Sequence, residues 1–233
     1  EGTRKPDEDN DNFGAAGRLL FYPLIEERRL LILGGAVYYR SWNRNPASGE
    51  DLKFGARPEG HIAGEKLINT GWMNPMNDTI MYNGQVSGVL GSFHAQAEYT
   101  GVRVSRTGEE NVFFNGWYVQ AGYFLTGENR VYDRKSGKYK RPVPKSMVGD
   151  GGWGAWELAA RYSQMNLADG NIQGGKERNV TVGVNWWMNR SFLIRVNYVR
   201  ANTDPTSSED PTMRGAGQDQ TINVFEGRFQ VVF

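Results

Sequence analysis

The 233-residue chain contains no cysteine, which excludes disulfides, thiolate metal sites and cysteine nucleophiles together. Histidine is nearly absent as well, with only His61 and His94. Basic and acidic residues almost balance, 27 Lys+Arg against 26 Asp+Glu, so no overall charge points to a nucleic-acid partner. No apolar run approaches the roughly 18 residues that a transmembrane helix needs. The opening stretch EGTRKPDEDNDN is acidic and polar and lacks the apolar segment of a signal peptide. An exported protein with such a start is expected to be a mature form or a fragment.

A membrane β-barrel escapes the hydropathy test, because its lumen-facing polar residues dilute every window. The residues that are abundant fit one: 30 glycines, 11 tyrosines and 7 tryptophans suit an all-β chain with many turns and aromatic girdles. They equally suit a soluble β-sandwich, so composition alone leaves both open. The C-terminal strand separates them better. Phe225, Gly227, Phe229, Val231 and Phe233 fall on one face, with Glu226, Arg228, Gln230 and Val232 between them. This is a strand with one side for lipid and one for water, and it ends on an aromatic residue.

The same alternation recurs along the chain. It predicts strands at about 13–22, 29–42, 52–58, 65–70, 79–90, 93–104, 113–125, 153–165, 178–188, 192–202 and 221–233. Trp117, Val119, Ala121, Tyr123 and Leu125 share one face, as do Val180, Val182, Val184, Trp186 and Met188. Connections alternate in length: 23–28, 91–92 and 189–191 are short, whereas 43–51, 71–78, 166–177 and 203–220 are longer and polar. Outer-membrane barrels pair short periplasmic turns with longer extracellular loops, and a sandwich does not predict this parity. One connection breaks the pattern, since 126–152 is long yet falls on the side of short turns. Eleven strands is an odd number, whereas bacterial single-chain barrels use even ones. Residues 1–12 are therefore expected to be the remnant of a polar extracellular loop, and 13–233 the C-terminal portion of one antiparallel transmembrane β-barrel.

Three stretches resemble the phosphate-selective porins of the O and P type: GAWELAARYSQMNLADG (154–170) with NVTVGVNWWMNRSFLIRVNYVRA (179–201), FGARPEGHIAGEKLINTG (54–71), and FHAQAEYTGV (93–102). Together they cover most of 54–233. The resemblance implies a sixteen-stranded, trimeric barrel in a Gram-negative outer membrane, in contact with lipopolysaccharide and phospholipid. Its pore would pass small anions, phosphate or polyphosphate among them, along lysines and arginines. Five further strands would precede residue 13, supplied by an N-terminal fragment of the same precursor. Where family members often carry a further arginine two positions before Arg-Pro-Glu, this chain has Gly55, so one basic rung is missing.

The densest basic cluster lies in the anomalous connection: Arg130, Arg134, Lys135, Lys138, Lys140, Arg141 and Lys145. Gly137, Pro142 and Pro144 argue against helix or strand there. The segment either hangs in solvent or folds back into the lumen, and family members resemble the second case. Lys135 and Lys145 head the expected anion-binding groups, with Lys138 and Lys140 beside them. Arg161, Arg195 and Arg228 follow from alternation alone, because their neighbours face lipid and turn them toward water. Glu98, Glu157 and Glu226 face the same way and offset them. The pore-facing role of Arg57 rests on the resemblance, the bland alternative being an ion pair with Glu59.

Catalysis finds little support. His94 alternates inward with Gln96 and Glu98, but nothing fixes a serine nucleophile near it, and no GxSxG occurs. The runs GDGGWG and GNIQGG lack the lysine of a phosphate-binding loop. No cofactor and no metal is implied. The leading expectation is a passive anion porin. A general or cation-preferring porin is a second reading, and a third is a barrel that only anchors adhesive loops and keeps its lumen closed.

Overall fold

The computed structural model describes residues 13–42, 52–59, 66–73, 75–204 and 220–232. Nine long strands form one antiparallel sheet: β1 (Gly14–Ile25), β2 (Arg29–Ser41), β5 (Met76–Leu90), β6 (Phe93–Arg106), β7 (Val112–Phe124), β10 (Ala155–Asp169), β11 (Ile172–Trp187), β12 (Phe192–Asp204) and β13 (Gln220–Val231). Each pairs with its neighbour in chain order. Two short ribbons interrupt the series, β3 (Gly55–Ala56) with β4 (Ile68–Asn69), and β8 (Tyr132–Asp133) with β9 (Lys138–Tyr139). Among the described residues no helix occurs, and the sheet does not close on itself.

The sheet is apolar toward the outside. Leu19, Phe21, Val37, Tyr82, Val86, Val119, Tyr123, Leu158, Val182, Val196, Phe225 and Phe229 all lie on the outer face and are exposed. Phe225 is 79% exposed and Phe229 61%. Such a surface is untenable in water and is what a hydrocarbon layer requires. The opposite, inner face carries both short ribbons. At each position the strand period of two assigns one side chain to each face.

Tight turns set the register. Leu90 pairs with Phe93 across Gly91-Ser92, and Gly91 takes the positive φ of 59° that this reversal demands. Gly170, at φ 55°, does the same between Asp169 and Ile172. The register of β1 shifts between Phe21 and Leu24. Pro23 lies in that bulge, where its missing N–H costs no ladder bond.

The inner face is packed at both ends. Ile68 and Met73 of the first excursion join Met76, Val102, Val104, Val112, Phe114, Leu167 and Ile172 in the largest apolar core. Phe124, Ala155, Trp187 and Leu193 close the other end.

Three sequence-based expectations change. The stretches 52–58 and 65–70 are not wall strands: only Gly55–Ala56 and Ile68–Asn69 are extended, and they pair with each other. Their apolar side chains find burial against the inner face instead of in the ladder, so among the described residues the wall has nine strands and there are thirteen in all. The segment 166–177 is no long loop, since β10 runs to Asp169 and β11 begins at Ile172. The basic connection does contain strand, in the two-residue arms of β8 and β9. The expectations for residues 1–12, 43–51, His61, most of 203–220 and Phe233 lie outside the described residues.

Candidate functional site on the inner face

The two excursions approach the same inner face from opposite ends. The first, 52–73, is held by the Leu52–Met73 bridge and by Thr70, whose Oγ accepts from the Phe54 N–H at 3.0 Å. The Phe54 ring meets Phe114 edge-on, with centroids 5.7 Å apart. Its tip carries Arg57, exposed just beyond β3, then the buried Pro58 and the exposed Glu59. Glu59 has φ 34°, the sole positive φ among described non-glycine residues. An L-residue adopts this conformation only when its surroundings impose it.

The Glu59 side chain is held by an ion pair. Glu59 Oε1 lies 3.0 Å from Arg161 Nε and also accepts from the Ser163 hydroxyl at 2.5 Å. Arg161 Nη1 donates to Gln120 Oε1 at 2.9 Å, and the guanidinium carbon stands 3.7 Å over the Tyr118 ring. The Tyr118 hydroxyl donates to Glu98 at 2.8 Å, and Asn83 donates to the other Glu98 oxygen at 2.7 Å. Arg161 is thus inward but occupied: it fastens the excursion to the wall. Glu59 pairs with Arg161 and not with Arg57.

The second excursion, 125–154, sets the β8–β9 ribbon on the inner face near β1, β2 and β5. Tyr132 and Tyr139 pack against Leu20, Tyr22, Leu30, Ile32 and Val89. The Tyr139 and Ser87 hydroxyls are hydrogen-bonded, and those of Tyr132 and Tyr22 lie 3.4 Å apart. Burial first, then the bond with Tyr22, pushes the Tyr132 phenol up to about 12. Lys145 N donates to the buried Glu128 carboxylate at 2.9 Å, and Arg28 Nη2 donates to Gly127 O at 3.2 Å. The segment is therefore stitched down at its tip and its base.

Its cations have different placements. Lys135, Lys138, Lys140 and Lys145 are all exposed. Lys135 N donates to Asp133 Oδ1 at 3.0 Å, and this bond holds the Asp133 carboxyl below its ordinary value. Lys138 lines a small cleft with Arg18, whereas Lys145 borders a separate hollow with Glu128 and Asp150. Arg141 sits 5.7 Å from the Trp187 ring, and Arg130 lies 5.1 Å over Tyr139.

Between this ribbon and the wall lies a polar cavity of about 370 Å³, lined among others by Arg130, Arg195, Arg161, His94, Glu157 and Glu226. His94 Nε2 lies 2.6 Å from Glu157 Oε1, and Asn185 donates to Glu157 Oε2 at 2.8 Å. Asn185 Oδ1 in turn accepts from Arg195 Nε at 2.6 Å. The buried Glu157 is thereby satisfied on both oxygens. Arg195 stands directly opposite Arg228 in the β12–β13 ladder. Two like charges in such register repel unless an anion or carboxylate lies between them.

Of the residues singled out in the sequence, Arg161 and Arg195 border this cavity; the four lysines and Arg57 do not, and Arg228 is exposed beside Arg195. Arg130 is an addition at this cavity, and Arg18 is one at the small cleft beside Lys138. The alternation of Leu19 and Phe21 outward already turns Arg18 inward, so a signal for it existed. For Arg130, only the fold of the ribbon selects it from its basic neighbours.

A family model described as phosphate-selective porin O and P matches residues 2–233. Porin O of Pseudomonas aeruginosa is 30% identical over 155 residues, covering 62% of this chain and 33% of that protein. An uncharacterized protein of Caulobacter vibrioides is 28% identical over 227 residues, covering 97% of this chain and 44% of its own length. The chain thus spans less than half the length of these curated relatives.

Proposed function

The chain belongs to the phosphate-selective porin O and P family of outer-membrane porins, and from that premise we propose that its inner face guides anions, phosphate or polyphosphate among them, through a passive pore. The observation that carries this reading is the Arg195–Arg228 cross-strand pair, with Arg130 of the inward ribbon acting on Arg195 from the facing side. Arg228 and Arg130 both repel Arg195 while the Glu157 carboxylate attracts it, so an arriving anion relieves the repulsion that the guanidiniums exert on Arg195. Release is kept possible because each arginine is solvated or shares donors with wall groups, so binding is weak and repeated along the path. Arg18, Arg57, Lys135, Lys138, Lys140 and Lys145 would raise the local anion concentration from either side.

Most of the fixed carboxylates on this face are engaged with wall groups, and Glu226 remains at the border of the cavity. Glu98 accepts from Tyr118 and Asn83, Glu157 is held by His94 and Asn185, and Glu59 is committed to Arg161. That favours anion passage over a cation-preferring or general porin. A sixteen-stranded wall completed by an N-terminal portion of the precursor, residues 1–12 as an extracellular loop remnant, and a homotrimer embedded in phospholipid and lipopolysaccharide belong to the same proposal. No catalytic role and no cofactor is part of it.

The test is the reversal potential of the native assembly in planar bilayers under a chloride gradient, repeated with phosphate added. Chloride selectivity with block by phosphate supports the proposal. A silent barrel favours a closed anchor for adhesive loops, and cation preference overturns the anion path.

A further inference from the structure

We propose that the outward rim of β11 and β12 binds the phosphate groups of lipopolysaccharide in the outer leaflet. On the outer face of these strands Trp186, Val184, Val182 and Val180 are followed by Arg178 and Lys176, and Ile194, Val196 and Tyr198 by Arg200. Both strands therefore change from apolar to cationic toward the same end, one outward position apart. The ladder places Arg200 opposite Val180 and Arg178 opposite Asn202, so the two arginines are diagonal neighbours. Such neighbours lie about 7–8 Å apart at their Cα atoms, within reach of one phosphate group for long side chains. Lys176, one pleat further, faces Asp204, the carboxylate that these two strands place on this rim. All three cations are exposed and point away from the pore.

The opposite end of the same strands is different. There Trp156 and Trp186 stack with centroids 5.0 Å apart, and their indole N–H groups both donate to Trp153 O. That end meets the short 188–191 turn and forms an aromatic girdle. The cationic end carries the 42–75 and 205–219 connections and strands that outrun the apolar band. Apart from the inward 125–154 excursion, the connections at the Trp end are short turns, whereas the cationic end carries 42–75 and 205–219 beside its tight turns, which places the cations at the extracellular leaflet. The apolar stretch from Trp186 to Val180 spans about 20 Å along the strand, about 15 Å of height at the usual tilt, so Arg178 and Arg200 reach the headgroups by extending their long side chains outward from the end of that stretch.

Clustered like charges on a sheet face are unfavourable by themselves. Next to a lipid layer they are further penalised unless headgroup anions compensate them. The lipid facing the outside of a Gram-negative outer membrane is lipopolysaccharide, whose lipid A phosphates supply that charge at that depth. The inference stands on the outer-membrane location and is independent of what the pore conducts.

The test uses the native assembly in detergent and counts bound lipid by native mass spectrometry. Probes are deep-rough lipopolysaccharide with both lipid A phosphates, the same lipid dephosphorylated, and phosphatidylglycerol. The expected result is preferential retention of the phosphorylated lipopolysaccharide, weakened about fivefold by R178Q or R200Q and further by the double change. R178K/R200K should retain binding, and the inward R228Q should leave it unaltered. Equal retention of the dephosphorylated lipid or of phosphatidylglycerol would overturn the proposal, as would R178Q/R200Q altering only the subunit count, which would mean that a second copy covers the rim. Should R178Q/R200Q fail to give a heat-resistant folded band on gels, the comparison of lipids on the unaltered protein still decides.

Discussion

Glu59 and Arg161 meet at 3.0 Å, joining the tip of an inward-folded excursion to the middle of a wall strand. The pair converts a cation that alternation alone would place in the pore into a fastener, and its acidic member, Glu59, has φ 34°. Removing the carboxylate should free the guanidinium for a permeant anion. E59Q is expected to strengthen phosphate block of chloride current by about threefold to tenfold, the scale of one charge-assisted hydrogen bond. R161Q should weaken it. If E59Q weakens block as much as R161Q does, the pair serves to position the excursion and Arg161 offers nothing to anions.

How far the sequence disclosed this arrangement depends on where lipid touches the strand. The nine wall strands were legible because hydrocarbon enforces outward alternation, as in Leu158, Ala160 and Tyr162. Beyond the hydrocarbon that rule reverses. Leu167 and Ile172 are buried on the inner face, while Asn166 and Lys176 point outward, so 166–177 looked like a polar loop although it is a hairpin. The excursion at 52–73 was unreadable for a related reason. Its Ile68 and Met73 are buried against a surface that comes from residues 76–172, and no local period encodes that. The Glu59–Arg161 contact spans 102 positions and left no mark in the sequence either.

Gly122 is demanded by a close approach. A Cβ there would sit 2.4 Å from His94 Nε2 and 2.9 Å from Glu157 Oε1. G122A must therefore displace the imidazole and strip a buried carboxylate of one of its partners. A loss of about 2–4 kcal/mol is expected, seen as a lower temperature at which the folded barrel converts to the slow-migrating unfolded form. H94Q can still donate to Glu157 and should lose less. Were G122A as stable as the parent protein, the His94–Glu157 contact would contribute nothing to the wall.

The ribbon is held to the wall by phenols, and this gives a test of its mobility. Tyr139 bonds Ser87 and lies under Arg130, so Y139F removes a hydrogen bond and keeps the ring. About 1 kcal/mol of docking should be lost. The open-channel current is expected to become noisier with little change in selectivity, because Arg130 would sample more positions while its charge stays. A quiet trace from Y139F would mean that packing against Tyr22 and Ile32 alone fixes the ribbon.

Arg195 and Arg228 are opposed in the ladder, yet their surroundings differ, and that difference predicts unequal effects. Arg195 is half-buried and donates to Asn185, which in turn supports Glu157. Arg228 is exposed and, among the described residues, has no such link to the buried carboxylate. R228Q should therefore lower chloride-over-potassium selectivity with little loss of thermal stability, typically within about 0.5 kcal/mol for a surface change. R195Q should lower selectivity and stability together, since it disturbs the donors that satisfy Glu157. The double variant decides whether the two act as one anion site. If they do, R195Q/R228Q weakens phosphate block by less than the product of the single effects, because the first substitution already removes the shared ligand. Independent, multiplying effects would instead describe two separate cations that merely raise the local anion concentration.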